Sequence, residues 1–289
     1  MKTNKKIERI ALLAHPKIKA SLKEAEKAVA YLKSKGLKAD RGMINNKTLR
    51  KNIIAQEYDL VITLGGDGTV LRAGHLCAPY NIPIMAINMG RFGFLIEVSK
   101  DDWEDALDKV LNGDYWVEER MMLKITLWRG QKCLNEWDVL NEVVIGRGRS
   151  VRPAHLAVRL DSQLLTTFVA DAVIASTPTG STAYALAAGG PILPPELRNI
   201  LLVPVAPHLS IDRAIVLSEG AVINIEILSD HEAVVSADGQ QPVDLNQGDR
   251  IEIRAGQQNV SFIRFQEADY FYRNLISLMD QNPSAGDIQ

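Results

Sequence analysis

The sequence predicts an α/β N-terminal domain, doubly wound around a mainly parallel sheet, followed by a β-rich, sandwich-like C-terminal domain. Three observations predict it. Up to Leu111, apolar runs of strand length alternate with stretches whose apolar residues recur at helical spacing, the pattern of a parallel sheet covered by helices. Beyond Tyr115, short apolar runs follow one another between turn signals with few helical periods, as in a sandwich. The 289 residues are enough for two domains, each of roughly 150 residues. The expected division is 1–115 and 116–265, with 266–289 returning to the first domain as a helix and tail.

In chain order, Ile10–Ala14 is an apolar strand stopped by His15-Pro16, where proline ends pairing. Ser21-Leu22-Lys23-Glu24 has the form of a capping box, and Leu22, Ala25, Val29 and Leu32 continue a helix that Gly36 ends. A weak strand over Leu37–Met43 and a helix carrying Leu49, Ile53 and Ile54 precede the strand Leu60–Leu64. Val70–His75 forms a short helix, Ile82–Asn88 another strand, and Asp101–Leu111 a helix with Trp103, Ala106, Leu107 and Val110 on its apolar side. In the second half, strands are expected over Leu123–Trp128, Trp137–Ile145, Leu156–Leu160, Leu164–Val169 and Ala172–Ala175. Further strands are expected over Val222–Leu228, Ala233–Ala237, Ile251–Arg254 and Val260–Phe265, and a closing helix over Asp269–Met279.

Composition narrows the function. A net charge of -2 and a pI of about 6.2 give no general attraction to nucleic acid or to an acidic membrane. No stretch approaches the ~20 apolar residues of a membrane span. Cys77 and Cys133 form no metal-ligand spacing and suit a reducing compartment, so a cytoplasmic protein is expected.

Four stretches carry candidate chemistry. Gly65-Gly66-Asp67-Gly68-Thr69 stands between a strand and a helix, where backbone amides can face a phosphate and Asp67 can accept a proton from an attacking hydroxyl. The alternative is a tight turn stabilised by its own Asp. Asn141-Glu142 interrupts an apolar strand and could read two vicinal hydroxyls, or mark a strand end. Thr177–Tyr184 sets four hydroxyl residues and a glycine before the Ala-rich helix Ala183–Ala188, offering donors to an anion or amide ligand, or caps to the helix. Asp238-Gly239 is a hairpin turn signal.

Together these stretches, with Asn88-x-Gly90-x-x-Gly93-Phe94-Leu95 and Gly189-Gly190-Pro191, resemble the NAD kinase family in its order and over most of the chain. The resemblance implies transfer of the ATP γ-phosphate to the adenosine 2′-hydroxyl of NAD. It implies Asp67 as catalytic base, Gly68 against the NAD, and Gly65, Gly66 and Thr69 near the donor phosphates. Arg72 and Arg91 are candidates for the triphosphate that could equally be surface groups. By the same resemblance, Asn141 and Glu142 contact the ribose on the nicotinamide side. Asp171, Thr182, Ala183 and Tyr184 surround the carboxamide and adenine, with Thr179 nearby, and Asp238 lies near the adenosine ribose and a neighbouring subunit. Similar enzymes use a divalent metal, Mg²⁺ or Mn²⁺, with ATP and form homodimers or homotetramers. The chain departs from the family pattern at Ala172, Leu193 and Ala214, none of which removes a group with a chemical role. Two rivals are a lipid kinase of the same superfamily, opposed by the Asn-Glu pair, and a non-catalytic NAD sensor, opposed by an intact Asp67.

Overall fold

The computed structural model describes residues 6–90, 93–208, 211–267, 271, 272 and 275. The chain divides into two units, one made of the residues up to Glu119 and from Val260 onward, the other Arg120–Asn259. Both divisions fall within strands.

The first unit is α/β. Its strands are β1 (Arg9–Ala14), β2 (Lys38–Met43), β3 (Leu60–Gly65) and β4 (Ile84–Asn88), and its helices α1 (Lys19–Ser34), α2 (Lys47–Ile54), α3 (Asp67–Cys77) and α4 (Trp103–Asn112). The strands lie parallel in the order β2-β1-β3-β4, and Phe262 extends the sheet in parallel beside Ile84. All of β3 and β4 is buried, as continuous apolar runs in a covered parallel sheet require. Alternate residues Leu60, Ile62 and Leu64 join a core with Ala25, Val29 and Leu32 of α1 and Trp103, Leu107 and Val110 of α4. The strand order reverses between β1 and β3, so ligands are expected outside the carboxyl ends of these strands. His15 and the glycine–aspartate loop stand there, joined by the His15 amide donating to the Leu64 carbonyl at 3.0 Å.

Local sequence explains most helix ends, with two corrections. Asn46 caps α2 by accepting from the Leu49 amide, and α1 and α4 are followed by Gly36 and Gly113 at φ +83° and +80°, a conformation glycine adopts without penalty. Ser21, however, is no capping box. It lies inside α1, fully buried, and its hydroxyl donates to the carbonyls of Ile18 and His15. Helix α3 begins at Asp67 rather than Val70, so Asp67 sits in the first helical turn, where the helix dipole favours a carboxylate.

The second unit is antiparallel. Strands β5 (Trp116–Arg129), β6 (Lys132–Val139), β7 (Glu142–Arg147), β8 (Ala154–Leu160), β9 (Gln163–Ala170) and β10 (Ala172–Ser176) precede a one-turn helix α5 (Tyr184–Ala187). Then come β11 (Asn199–Val205), β12 (Ile215–Ser218), β13 (Ile223–Ile227), β14 (Ala233–Ala237), β15 (Val243–Leu245) and β16 (Asp249–Arg264). One sheet runs β12-β11-β10-β7-β14-β15; β13 pairs with β8 and with β16, and β8 with β9. Side chains such as Leu123, Ile145, Phe168, Val173, Ile225, Val235 and Ile253 close one hydrophobic core.

Several expected elements change. Trp137–Ile145 is two strands broken at Leu140-Asn141, and Ile251–Arg254 and Val260–Phe265 are parts of one long β16. Strands β11, β12 and β15 lie where none was expected. In β11, Pro204 pairs with Val173 beyond Leu202, the last residue opposite β12, so its missing N–H removes no bond on that side. The expected helix over Asp269–Met279 lies mostly outside the described residues.

Phe168 is fully buried in the second unit's core, whereas Val151 is 85% exposed. Phe168→Ala should lower the unfolding free energy by ~3–5 kcal/mol. Val151→Ala should change it by less than ~0.5 kcal/mol. Urea unfolding of both variants checks the pair.

Candidate active site

In the first unit, the Asp67 carboxylate points back across the sheet end to the segment after β4. Its Oδ2 accepts from the Phe94 amide at 2.9 Å and its Oδ1 from the Leu95 amide at 3.4 Å. Gly93 lies against the same carboxylate so closely that a Cβ there would overlap its oxygens. That segment is itself framed by the Met89 amide on the Gly65 carbonyl, the Gly90 amide on Asn88 Oδ1, and the Asn88 amide on the Val98 carbonyl.

The glycines of the loop divide by role. A Cβ on Gly65 would strike Thr69, whose buried hydroxyl has no hydrogen-bond partner, so these two residues pack on each other rather than present groups outward. Gly66 and Gly68 face open space. The exposed Arg72 folds back, its Nε donating to the Gly68 carbonyl at 3.0 Å. His15 Nδ1 accepts from the Lys17 amide, and burial, with Arg72 and Lys17, holds its pKa below the usual histidine value. Arg91 lies outside the described residues.

In the second unit, Asp238 organises the backbone. Asp238 and Gly239 have φ of +46° and +65°, the left-handed pair of a tight hairpin turn between β14 and β15. The hairpin reading of this dipeptide is correct and incomplete. The Asp238 carboxylate also accepts from three successive amides, Leu140 at 2.7 Å, Asn141 at 2.9 Å and Glu142 at 3.0 Å, 96 to 98 residues away in the chain.

The Thr177–Thr182 turn is built against the same segment. Thr177 donates from its hydroxyl to the Leu140 carbonyl and from its amide to the Asn141 carbonyl. Ser176 Oγ donates to the Asn141 carbonyl as well, and a Cβ on Gly180 would overlap that carbonyl. Ser181 Oγ donates to the Pro178 carbonyl and accepts from the Leu193 amide, while Thr182 Oγ1 donates to the Thr179 carbonyl. Thr179 Oγ1 accepts from Nη1 of the buried Arg120 at 3.3 Å. The hydroxyl protons are thus spent on the protein's own carbonyls, and each oxygen keeps acceptor capacity. The helix after them has only four residues, too short to offer an anion site. What this region does present is the half-exposed Tyr184 ring and Asp171, which is paired with Arg147 at 2.9 Å.

Glu142 is 8% exposed, and its Oε2 has no hydrogen-bond partner. Burial, reinforced by the nearby Asp238 charge and only partly offset by the Tyr184 amide, pushes its pKa up to about 8. At pH 7 the group is thus chiefly a neutral carboxylic acid, able to donate as well as accept.

Gly93, Phe94 and Leu95 stand in the glycine-bearing stretch and Thr177 in the hydroxyl-rich run, both named from sequence without individual roles for these residues; nothing local marks Arg120.

Residues 5–115 match the ATP-NAD kinase N-terminal domain and residues 140–265 the ATP-NAD kinase C-terminal domain. The chain belongs to the NAD kinase family. An NAD kinase of Chloroflexus aurantiacus is 40% identical over 271 residues, covering 94% of this chain and 98% of that protein. One of Dehalococcoides mccartyi is 36% identical, covering 95% and 97%. Among solved structures, an NAD kinase from Archaeoglobus fulgidus in complex with ATP aligns with a TM-score of 0.77 at 26% identity, covering 95% of this chain and 99% of that one. Yeast NADH kinase complexed with NADH shares the fold, with a TM-score of 0.82 at 23% identity and coverage of 96% and 89%. This family member accommodates its departures by packing. Ala172 stands opposite Gly146, where a further Cβ would come within 2.7 Å of its own, and Leu193 joins a small core with Ile174, Ala185 and Leu201.

Two outcomes are expected of this chain. Gly93→Ala should keep the fold and push the Asp67 carboxylate off the Phe94 amide; if that carboxylate serves the reaction, NAD phosphorylation falls more than ~10-fold, since a shift of about 1 Å can cost ~100-fold, as melting curves and steady-state rates will check. Glu142 has a folded pKa above its unfolded one, so its favourable contribution is complete below about 4.5 and lost as pH rises through about 8. Glu142→Gln should therefore gain stability over the native chain progressively between those values, read by melting temperatures at pH 5 and 8.5.

Proposed function

We propose that this chain, an enzyme that phosphorylates NAD, moves the γ-phosphate of ATP onto the adenosine 2′-hydroxyl with Asp67 as general base. As the 2′-oxygen attacks the γ-phosphorus, Asp67 takes its proton. The bond from that phosphorus to the oxygen bridging to the β-phosphate breaks, leaving NADP and ADP. One observation carries the assignment: the Asp67 carboxylate is held by the Phe94 and Leu95 amides at the sheet end, in space that only a glycine at position 93 leaves open.

Other residues support the same reading. The open backbone at Gly66 and Gly68 can approach phosphate and nucleotide, and Arg72 stands at the same loop; Arg91 keeps its candidate role from sequence. Gly65 and Thr69 contribute by shaping the loop. Asn141 and the neutral acid of Glu142 suit two ribose hydroxyls, with Asp238 fixing their backbone and standing near the adenosine ribose. Tyr184 offers a ring face to adenine, with Asp171, Ala183 and Thr182 beside it and Thr179 behind. Among the described residues no three His, Cys, Asp or Glu side chains gather to hold a metal. A divalent cation, Mg²⁺ or Mn²⁺, would come bound to ATP and offset charge on the transferred phosphoryl group.

The lipid-kinase and sensor readings are not favoured, since relatives across nearly the whole chain are NAD kinases. No described helix is long and apolar enough to cross a membrane. A homodimer or homotetramer acting in the cytoplasm completes the proposal, on the family resemblance and the two free cysteines.

Asp67→Asn should keep NAD binding and lose ~10²–10⁴-fold in turnover, the usual worth of a general base. NADP formation measured with ATP and with polyphosphate, and diacylglycerol offered as a rival acceptor, tests the function. Near-native turnover by the Asn variant removes Asp67 from the role.

A further inference from the structure

The amides that aim Asp67 are themselves held from behind. Leu95 donates its amide to Asp67 Oδ1, and its carbonyl accepts from Arg264 Nη1 at 3.0 Å. Arg264 Nε donates to Glu118 Oε2 at 2.8 Å, in an ion pair whose side chains are only 10% and 11% exposed, and its guanidinium lies 4.9 Å from the centre of the Phe262 ring. Two residues further on, the Glu97 carboxylate accepts from the amides of Phe265 and Gln266. The end of β16 thus grips the Gly93–Glu97 segment at Leu95 and at Glu97, leaving the Phe94 and Leu95 amides turned to Asp67.

The distances show where this grip matters. The Phe94 amide is at full hydrogen-bond distance from Asp67, 2.9 Å, while the Leu95 amide, at 3.4 Å, is near the limit. A few tenths of an ångström at Leu95 decide whether one amide or two hold the carboxylate. Arginine suits the task because its rigid fork bonds an acceptor on each side at once; lysine offers one compact ammonium for two separated oxygens.

We propose that Arg264 is a positioning residue for phosphoryl transfer: by holding the Leu95 carbonyl it fixes the amides that orient Asp67. This rests on Asp67 being the base, and the test separates the two claims. Steady-state NADP formation is compared for the native chain, Arg264→Gln, Arg264→Lys, Asp67→Asn and the Asp67→Asn/Arg264→Gln double variant. Arg129→Gln, which breaks the Arg129–Asp249 ion pair of the second unit, serves as a destabilised control.

Arg264→Gln should lower kcat by ~10–100-fold with the KM values for NAD and ATP within ~threefold, and Arg264→Lys should fall between it and the native chain. Arg129→Gln should melt earlier at unchanged kcat. In the Asp67→Asn background, Arg264→Gln should cost less than ~threefold more, because a residue acting through Asp67 has nothing left to position. Near-native kcat for Arg264→Gln, or the same fractional loss in both backgrounds, overturns the proposal. If Arg264→Gln does not fold, Arg264→Lys in the two backgrounds makes the same comparison. Near-native turnover by Asp67→Asn instead overturns the base assignment, and the proposal for Arg264 with it.

Discussion

A carboxylate that accepts backbone amides becomes part of the backbone's geometry, and both units depend on one. Asp67 joins the first turn of α3 to the segment after β4, and Asp238 joins the β14–β15 turn to the break between β6 and β7. In each case a short side chain fixes a distant stretch that has no ladder of its own. Leu140 and Asn141 lie between β6 and β7, and Glu142 opens β7, so their amides would otherwise need water or side-chain partners. The chemistry proposed here uses atoms whose positions follow from these two acceptors.

Much of the fold was legible because its signals are local. Leu60–Leu64 is an unbroken apolar run and proved to be a buried parallel strand, and Trp103, Ala106, Leu107 and Val110 recur at helical spacing and all face the core. Strand β11 lies where no strand was expected, and its Pro204 is a residue that central strands seldom carry. What the pattern could not convey is that β12 covers only part of β11.

The site was legible in its residues and not in their duties. Asp67 and its amide partners are 27 and 28 positions apart, and no local rule links them. Gly93 looks like any turn glycine until the carboxylate against it is known. The raised pKa of Glu142 comes from burial and from Asp238, neither of which a dipeptide reveals. The Ser/Thr-rich run was recognised as special, but its hydroxyls close on their own carbonyls and on Asn141, a choice made by packing.

That closure has a thermodynamic consequence. A loop that stays loose until its ligand arrives must surrender backbone and rotamer freedom at that moment, and the loss weakens association. In Ser176–Thr182 the freedom is already gone when the chain folds, with Thr177, Ser181 and Thr182 locked and Gly180 seated on Asn141. A ligand docking on this surface would encounter a finished mould, its affinity set by the fit of its own groups rather than by how much protein it must first immobilise.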